Sequence, residues 1–219
     1  MTARAQGESA ADRAYRWLRA RILNGTFAGG RLLSEGEVAD AVQVSRTPVR
    51  EAFLQLAAED MLELYPKRGA LVVSVSAAEL REVLVARTLL EPWAAGLVAG
   101  RPDRTAVAAA LRSVTEAARQ ALDGHDEEGF QEADRQFHQQ LLVAAGNQLL
   151  AAFYASLRDR QLRGGMMAVY NDPARGAESM AQHDSIAAAI EAGDADAAAA
   201  VMTEHLNGTA GALGLAPLA

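Results

Sequence analysis

The spacing of apolar and polar positions changes character once along the chain. From residue 10 to residue 24, Tyr15, Leu18, Ile22 and Leu23 recur three or four apart, which predicts a helix with one apolar stripe. The glycine-rich stretch "NGTFAGGRL" ends it. "SEGE" at 34–37 then fits a capping box, with Ser34 as the cap and Glu37 reaching back, and predicts a short helix to about Ala41. After a turn at Val42–Val44, Ser45 is expected to cap another helix running to about Asp60, with Pro48 in the first turn, where its missing N–H is no loss. "MLELY" alternates, "PKRG" is a turn and "ALVVSVS" reads as a second strand. Helix, helix, turn, helix and hairpin in that order make a winged helix-turn-helix.

Beyond Ser76 the alternation disappears. "SAAE" at 76–79 is a further capping box, and helical spacing fits 77–100, 103–123, 126–145, 148–163, 174–191 and 194–212. The breaks are "GRPD", "DGHD", "AGN", "RGG" with a loop through Asn171–Pro173, and "AGDAD". The expected fold class is therefore mainly α: a winged helix-turn-helix over 1–76, then an all-helical bundle of six or seven helices over 77–219.

Composition narrows the function classes. Half of the 219 residues are apolar, enough for a sizeable core. No run of about 18 apolar residues predicts a membrane span, and the first residues show no apolar signal segment, so a cytoplasmic protein is expected. The absence of cysteine excludes disulfides, thiolate metal sites and cysteine nucleophiles. The net charge of −7 argues against a nucleic-acid partner until it is divided. Residues 1–76 hold ten basic and nine acidic side chains, net +1, and residues 77–219 hold eleven and nineteen, net −8.

The basic charge lies where a helix-turn-helix would meet DNA. In "VQVSRTPVREAF" the opening turns of the recognition helix carry Arg46, Thr47 and Arg50, placed to enter the major groove. Arginine pairs bidentately with guanine O6 and N7, while Ser45, Thr47 and the exposed N–H groups of the helix start suit phosphates. Val49 and Phe53 are expected to face inward. Lys67, Arg68 and Gly69 at the wing tip reach toward the minor groove or the backbone. The expected DNA-contacting set is Ser34, Ser45, Arg46, Thr47, Arg50, Lys67, Arg68 and Gly69. Taken alone, "SRTPVRE" is equally an ordinary capped helix with a solvated basic face. The longer stretch "LLSEGEVADAVQVSRTPVREAFLQLAAEDMLELYPKRG" resembles the DNA-binding domain of GntR-family bacterial transcription regulators from about Ala14 to Val75. Phe53 stands where that pattern has Leu, and Asp60 where it has Gly.

Three of the four histidines lie in the distal helices. Asp134 and His138 are four apart in "ADRQFHQQL", hence on one helix face, and a carboxylate and an imidazole so placed can grip one divalent cation. His183 and His205 sit on two further helices, each beside apolar residues, and side chains from several helices can converge in a bundle core. Individually each is better read as a separate helix histidine, hydrogen-bonded or exposed. The segment from about Ser76 to Gly211 resembles the FCD-type ligand-binding domain of the FadR subgroup within the GntR family. It carries Asp134 and His138 with "AAGN" at 144–147, "QHDSIAAAIEAGD" at 182–194 and "MTEHL" at 202–206. The resemblance implies Asp134, His138, His183 and His205 as ligands of a divalent metal, for which Zn, Ni, Mn or Fe(II) suit the donor set.

"VARTLLEPWAAG" matches the first helix of that domain, which makes Arg87 a partner for an effector carboxylate or else a salt-bridging neighbour. The family often has Glu two residues before this Arg, where this chain has Val85. Asn147 either lines the effector site or caps the next helix, and His125 reads as a solvated loop residue. The resemblance implies a homodimeric regulator, not an enzyme, that binds a palindromic operator and acts as a repressor relieved by a small organic acid bound beside the metal. The other classes weighed are a metalloenzyme, for which no HExxH arrangement is present, and a DNA-binding protein whose helical half only dimerises.

Overall fold

A computed structural model describes residues 9–157 and 174–218. The chain divides into two compact units, Met1–Ser74 and Val75–Ala219.

The first unit runs α1 (Ala10–Leu23), β1 (Leu32–Leu33), α2 (Glu35–Val42), α3 (Arg46–Ala58), β2 (Leu62–Tyr65) and β3 (Gly69–Val72). The winged helix-turn-helix is present. α1 presents Ala14, Leu18 and Ile22 to the core, with Tyr15 and Leu23 half-buried at its edge. α3 adds Val49, Ala52, Phe53 and Leu56 to the same core. The strands form one antiparallel sheet in the order β1-β3-β2, with Leu33 opposite Ala70 and Tyr65 opposite Gly69. β1 was not expected, because two residues carry no readable period. The second strand also ends at Val72, short of the expected Ser76.

Two local expectations need correcting. Ser34 caps α2, its Oγ accepting from Glu37 N at 3.1 Å, but the Glu37 carboxylate pairs with Arg31 Nη2 at 2.6 Å instead of reaching back. Ser45 occupies the cap position of α3 with extended backbone, yet its hydroxyl makes no capping bond. A capping hydroxyl accepts from the second or third helical N–H, and the third residue of α3 is Pro48, which has none.

Asp60 has φ 56°, in the left-handed region. That accounts for glycine at the equivalent family position, and Asp is among the residues that tolerate this conformation. Gly69 has a different reason to be glycine. A Cβ there would fall 2.0 Å from the Leu33 carbonyl oxygen, so the wing lies against β1 only without a side chain.

The second unit contains α4 (Ala77–Ala99), α5 (Arg104–Asp123), α6 (Glu127–Ala144), α7 (Gln148–Ser156), α8 (Ala174–Ala192) and α9 (Ala195–Ala212). Ser76 Oγ caps α4 on Glu79 N, Asp126 caps α6 and Asp194 caps α9. The helix expected at 148–163 is described to Ser156, and the loop expected through Asn171–Pro173 lies outside the described residues. α4 packs on α9 and α6, α5 on α6 and α8, and α8 on α9. The core is built from Ala94, Val98, Leu111, Phe137, Leu141, Ile186, Ile190, Met202 and Leu206, all with negligible exposure. Each large side chain buried this way contributes about 1.5–3 kcal/mol. Pro92 lies within α4 without ending it.

Candidate functional site

On the first unit the expected DNA-contacting side chains fall on exposed positions. Ser34, Ser45, Arg46, Thr47 and Arg50 are all exposed around the start of α2 and the first turns of α3. Lys67 and Arg68 are exposed in the β2–β3 turn, closed by Arg68 N donating to Tyr65 O at 3.0 Å. Arg50 is not idle. Its Nε and Nη2 donate to the two Glu35 carboxylate oxygens at 2.8 and 2.7 Å, a bidentate pair across α2 and α3. The hydrogen bond from Arg50 lowers the Glu35 carboxyl below its ordinary range and outweighs the small effect of burial. Glu35 was not among the expected site residues, although it lies in the quoted "SEGE".

In the second unit three imidazoles meet. One ring nitrogen from each of His138, His183 and His205 lies within 4.8 Å of the others, and all three side chains are buried. α6, α8 and α9 each supply one. Asp134, one turn before His138 on α6, has carboxylate oxygens 3.9 Å from His138 Nε2 and 3.8 Å from His183 Nε2. Ser179 Oγ stands 3.5 Å from the nearer oxygen. The four residues expected to act together are thus together.

Their donors face inward without partners. Among the described residues, both nitrogens of His138, both of His183, Arg87 Nη2 and Glu91 Oε2 are buried with no hydrogen bond. A buried polar atom left so costs about 1–3 kcal/mol. Several converging in one place is what a site for a ligand looks like rather than a well-packed core. The acid–base state fits too. Burial first, then the neighbouring charges, hold the His183 and His205 imidazoles well below their ordinary value, so both stay neutral with a lone pair to offer. Three nitrogens bonded at about 2.0–2.1 Å to one tetrahedral ion stand roughly 3.4 Å apart, so the rings must draw together to hold it.

Each ring is held differently. His183 stacks on Phe137, centroids 3.8 Å apart and planes 2° from parallel. His205 Nδ1 is 3.1 Å from Gln182 Oε1, which also accepts from Arg175 Nη1 at 3.1 Å. Arg175 Nη2 also lies 3.3 Å from His205 Nδ1, so the ring's tautomer decides whether that nitrogen donates to Gln182 or accepts from Arg175. Arg175 Nη2 is directed to His205 O at 2.6 Å and Thr209 Oγ1 at 3.1 Å. Gly208 lets Arg175 lie across α9, since a Cβ there would come within 2.6 Å of its Nη1. His138 Nδ1 lies 2.6 Å from Glu91 Oε2. The approach is bent too far for a formed hydrogen bond, so this is a close contact of the carboxylate with the Nδ1 edge of the ring.

Arg87 takes the neighbour alternative left open by the sequence. Its Nε donates to Glu91 Oε1 at 2.6 Å, one turn along α4, and Tyr154 Oη donates to the same oxygen at 2.6 Å. Burial would raise the Glu91 carboxyl, but Arg87 and His138 overcome it and hold it well below the usual carboxylate range. Glu91, Tyr154, Gln182 and Arg175 were all missed. For Glu91 a signal existed, the four-residue spacing from Arg87 in "RTLLE". Asn147 is exposed and caps α7, its Oδ1 accepting from Leu149 N and Leu150 N at 3.1 Å each. His125 is an exposed turn residue with φ 56°. Val85 is exposed rather than pointing at this cluster.

Comparison with known proteins places this arrangement. Residues 10–72 match the model of bacterial regulatory proteins of the gntR family, and residues 82–208 match the FCD domain. The chain belongs to the GntR family. It is a DNA-binding transcriptional regulator of the GntR/FCD type. It is 32% identical over 192 residues to the HTH-type transcriptional repressor RspR of Escherichia coli, covering 88% of this chain and 83% of the relative. It is 31% identical over 185 residues to a probable D-xylose utilization operon repressor of Paenarthrobacter nicotinovorans, covering 84% and 80%. A GntR regulator from Rhodococcus sp. RHA1 of known structure has the same fold, with a TM-score of 0.72 at 25% identity, covering 94% of this chain and 99% of that one. The named relatives are regulators rather than enzymes. Among the described residues no helix is long and apolar enough to cross a membrane.

Proposed function

We propose that this regulator is a repressor that binds a palindromic operator as a homodimer and is controlled by a small carboxylate bound beside a divalent metal. Arg46 and Arg50 read base edges, Ser45 and Thr47 meet phosphates, and Lys67 and Arg68 of the wing grip the backbone. The uncommitted Ser45 hydroxyl and the exposure of the whole set support this assignment. The repressor role is borne by the relatives named above.

The observation that carries the metal reading is the convergence of three buried imidazoles from three helices, with the ring nitrogens of His138 and His183 left without a hydrogen bond. Asp134, His138, His183 and His205 would hold the ion, with Zn, Ni, Mn or Fe(II) suited to three neutral imidazoles and one carboxylate. Once bound, the metal supplies a Lewis-acidic anchor for a carboxylate oxygen. Arg87 offers Nη2 to the same effector, its Nε being held by Glu91. Asn147 drops out of the effector set, since its oxygen is spent on the cap.

Self-association has its own support on α4. Every exposed residue between Val83 and Ala99 is apolar: Val85, Leu89, Trp93 and Leu97, spaced four apart. A stripe without charge complements itself across a two-fold axis, whereas the rest of this region carries a net charge of −8.

Effector coupling of about 1–3 kcal/mol would change operator affinity 5–150-fold. The test is a mobility-shift titration with operator DNA, using protein purified without a His tag, with and without chelator and with a panel of small hydroxy and sugar acids. Metal-dependent release by one acid class supports the reading. Operator affinity indifferent to chelator and to every acid would refute it.

A further inference from the structure

We infer that Glu91 is a positioning residue of the metal site: it fixes the ring of His138 so that Nε2 faces the ion, and it ties that ring to Arg87. The inference rests on the metal reading above.

The argument begins with what each carboxylate oxygen does. Glu91 has no exposure, and its environment is asymmetric. Oε1 accepts two hydrogen bonds, from Arg87 Nε and from Tyr154 Oη, both at 2.6 Å. Oε2 faces His138 Nδ1 alone, also at 2.6 Å. The carboxylate is anchored from one side and aimed with the other. A carboxylate accepts only, so a contact this close favours the tautomer with the ring proton on Nδ1. The lone pair is then on Nε2, the nitrogen 3.9 Å from Asp134 Oδ2. His183 Nε2 stands 3.8 Å from the other oxygen of Asp134, so both rings address the same spot.

His205 Nδ1 has a neutral neighbour in the corresponding place, Gln182 Oε1 at 3.1 Å. Glu91 differs because it is charged and because its second oxygen holds Arg87. One side chain therefore links a metal-ligating ring to the guanidinium proposed to bind the effector. A carboxylate on the far nitrogen of a ligating histidine fixes its orientation and raises its basicity, and losing such a partner costs about 10–100-fold in metal affinity.

Glu91→Gln separates this role from mere packing. Arg87 and Tyr154 both donate, so the amide oxygen must take the Oε1 side and the amide N–H₂ must face His138 Nδ1. That nitrogen then has to accept, the proton moves to Nε2, and ligation is blocked. Tyr154→Phe removes a donor from Oε1 and leaves Oε2 on His138. The experiment is a Zn²⁺ competition titration against a chromophoric chelator at fixed pH, on the full untagged chain. Far-UV circular dichroism reports folding. Long-range ¹H–¹⁵N NMR of the Zn-loaded wild type reports the histidine tautomers.

The expected result is a 10–100-fold weaker Zn²⁺ affinity for Glu91→Gln, a smaller loss for Tyr154→Phe, which leaves Arg87 on Oε1, and a wild-type His138 protonated at Nδ1 with Nε2 on the metal. A folded Glu91→Gln variant with unchanged affinity overturns the positioning role alone. So does a His138 bound through Nδ1, which the NMR decides even if Glu91→Gln fails to fold. A wild type that binds no Zn²⁺ overturns the metal reading and this role with it.

Discussion

Each unit of this regulator contains an arginine–glutamate pair of nearly the same length, and the two behave as different objects. In the DNA-binding unit Arg50 holds Glu35 at 2.7–2.8 Å with 65% of the arginine side chain exposed. In the FCD unit Arg87 holds Glu91 at 2.6 Å with 8% and 0% exposed. Water around the first pair screens it, so it contributes little to stability and leaves Arg50 able to exchange Glu35 for another partner. The second has no water to fall back on, and breaking one side leaves an uncompensated buried charge. The same chemistry is thus a poised contact in one unit and a fixed part of the framework in the other.

The sharpest way to break the contrast is to truncate the buried arginine. Arg87→Ala strands the Glu91 carboxylate and should destabilise the FCD unit by about 3–5 kcal/mol, read as a lowered chemical-denaturation midpoint. An effect as small as that of an exposed pair would mean the interior is wetter than its burial implies. Next in size is the metal. Chelation, or His205→Ala, should remove up to about 4 kcal/mol at a thousandfold excess of metal over Kd, confined to the FCD unit, with α3 still folded. Melting curves of wild type, chelated wild type and the variant check this.

Arg50→Ala should cost about 1–3 kcal/mol of specific operator binding and relax base preference at one position. Unchanged affinity and unchanged preference in a mobility shift would remove Arg50 from the base-reading set. Lys67→Ala, the smallest effect, should weaken all sequences alike and flatten the salt slope by about one unit, as for a phosphate contact. A sequence-selective loss would instead point to base reading by the wing.

Acid provides a graded version of the same comparison. Burial depresses the His183 and His205 imidazoles below the ordinary value of 6.5, whereas in the unfolded chain they titrate near it. The unfolded state therefore binds more protons as pH falls below about 6.5, and stability present above that pH is progressively lost. The FCD unit should lose melting temperature between pH 7 and pH 5, while the DNA-binding unit, which has no histidine, should not share that loss. Equal shifts in both units would show that the buried histidines are not its cause.

What the sequence made legible follows from period and reach. Long helices with apolar stripes, such as Leu18 and Ile22 on α1 or Phe137 and Leu141 on α6, were readable because local spacing determines which face is buried. β1 was not, because two residues have no period and its pairing with β3 is decided 37 positions away at Leu33 and Ala70. Ser45 was read correctly as the cap position of α3, but its missing capping bond was not foreseen although Pro48 sits three residues on, within view. Asp134, His138, His183 and His205 were legible as a group only through the family pattern, since nothing local brings α6, α8 and α9 together. The partners that hold those rings are harder still. Tyr154 lies 63 positions from Glu91, and their hydrogen bond exists only once α7 folds against α4.

The central claim is that the buried histidine cluster is a metal site, and metal stoichiometry tests it most directly. Protein purified gently without a His tag, analysed by inductively coupled plasma mass spectrometry before and after dialysis with Zn, Ni or Mn, should carry about one divalent ion per chain, as a single four-ligand site requires. The His205→Ala variant should carry none. A wild type that holds no metal, and melts no higher with any of the three ions, would contradict the account. The three imidazoles would then bond the effector directly or simply pack the core.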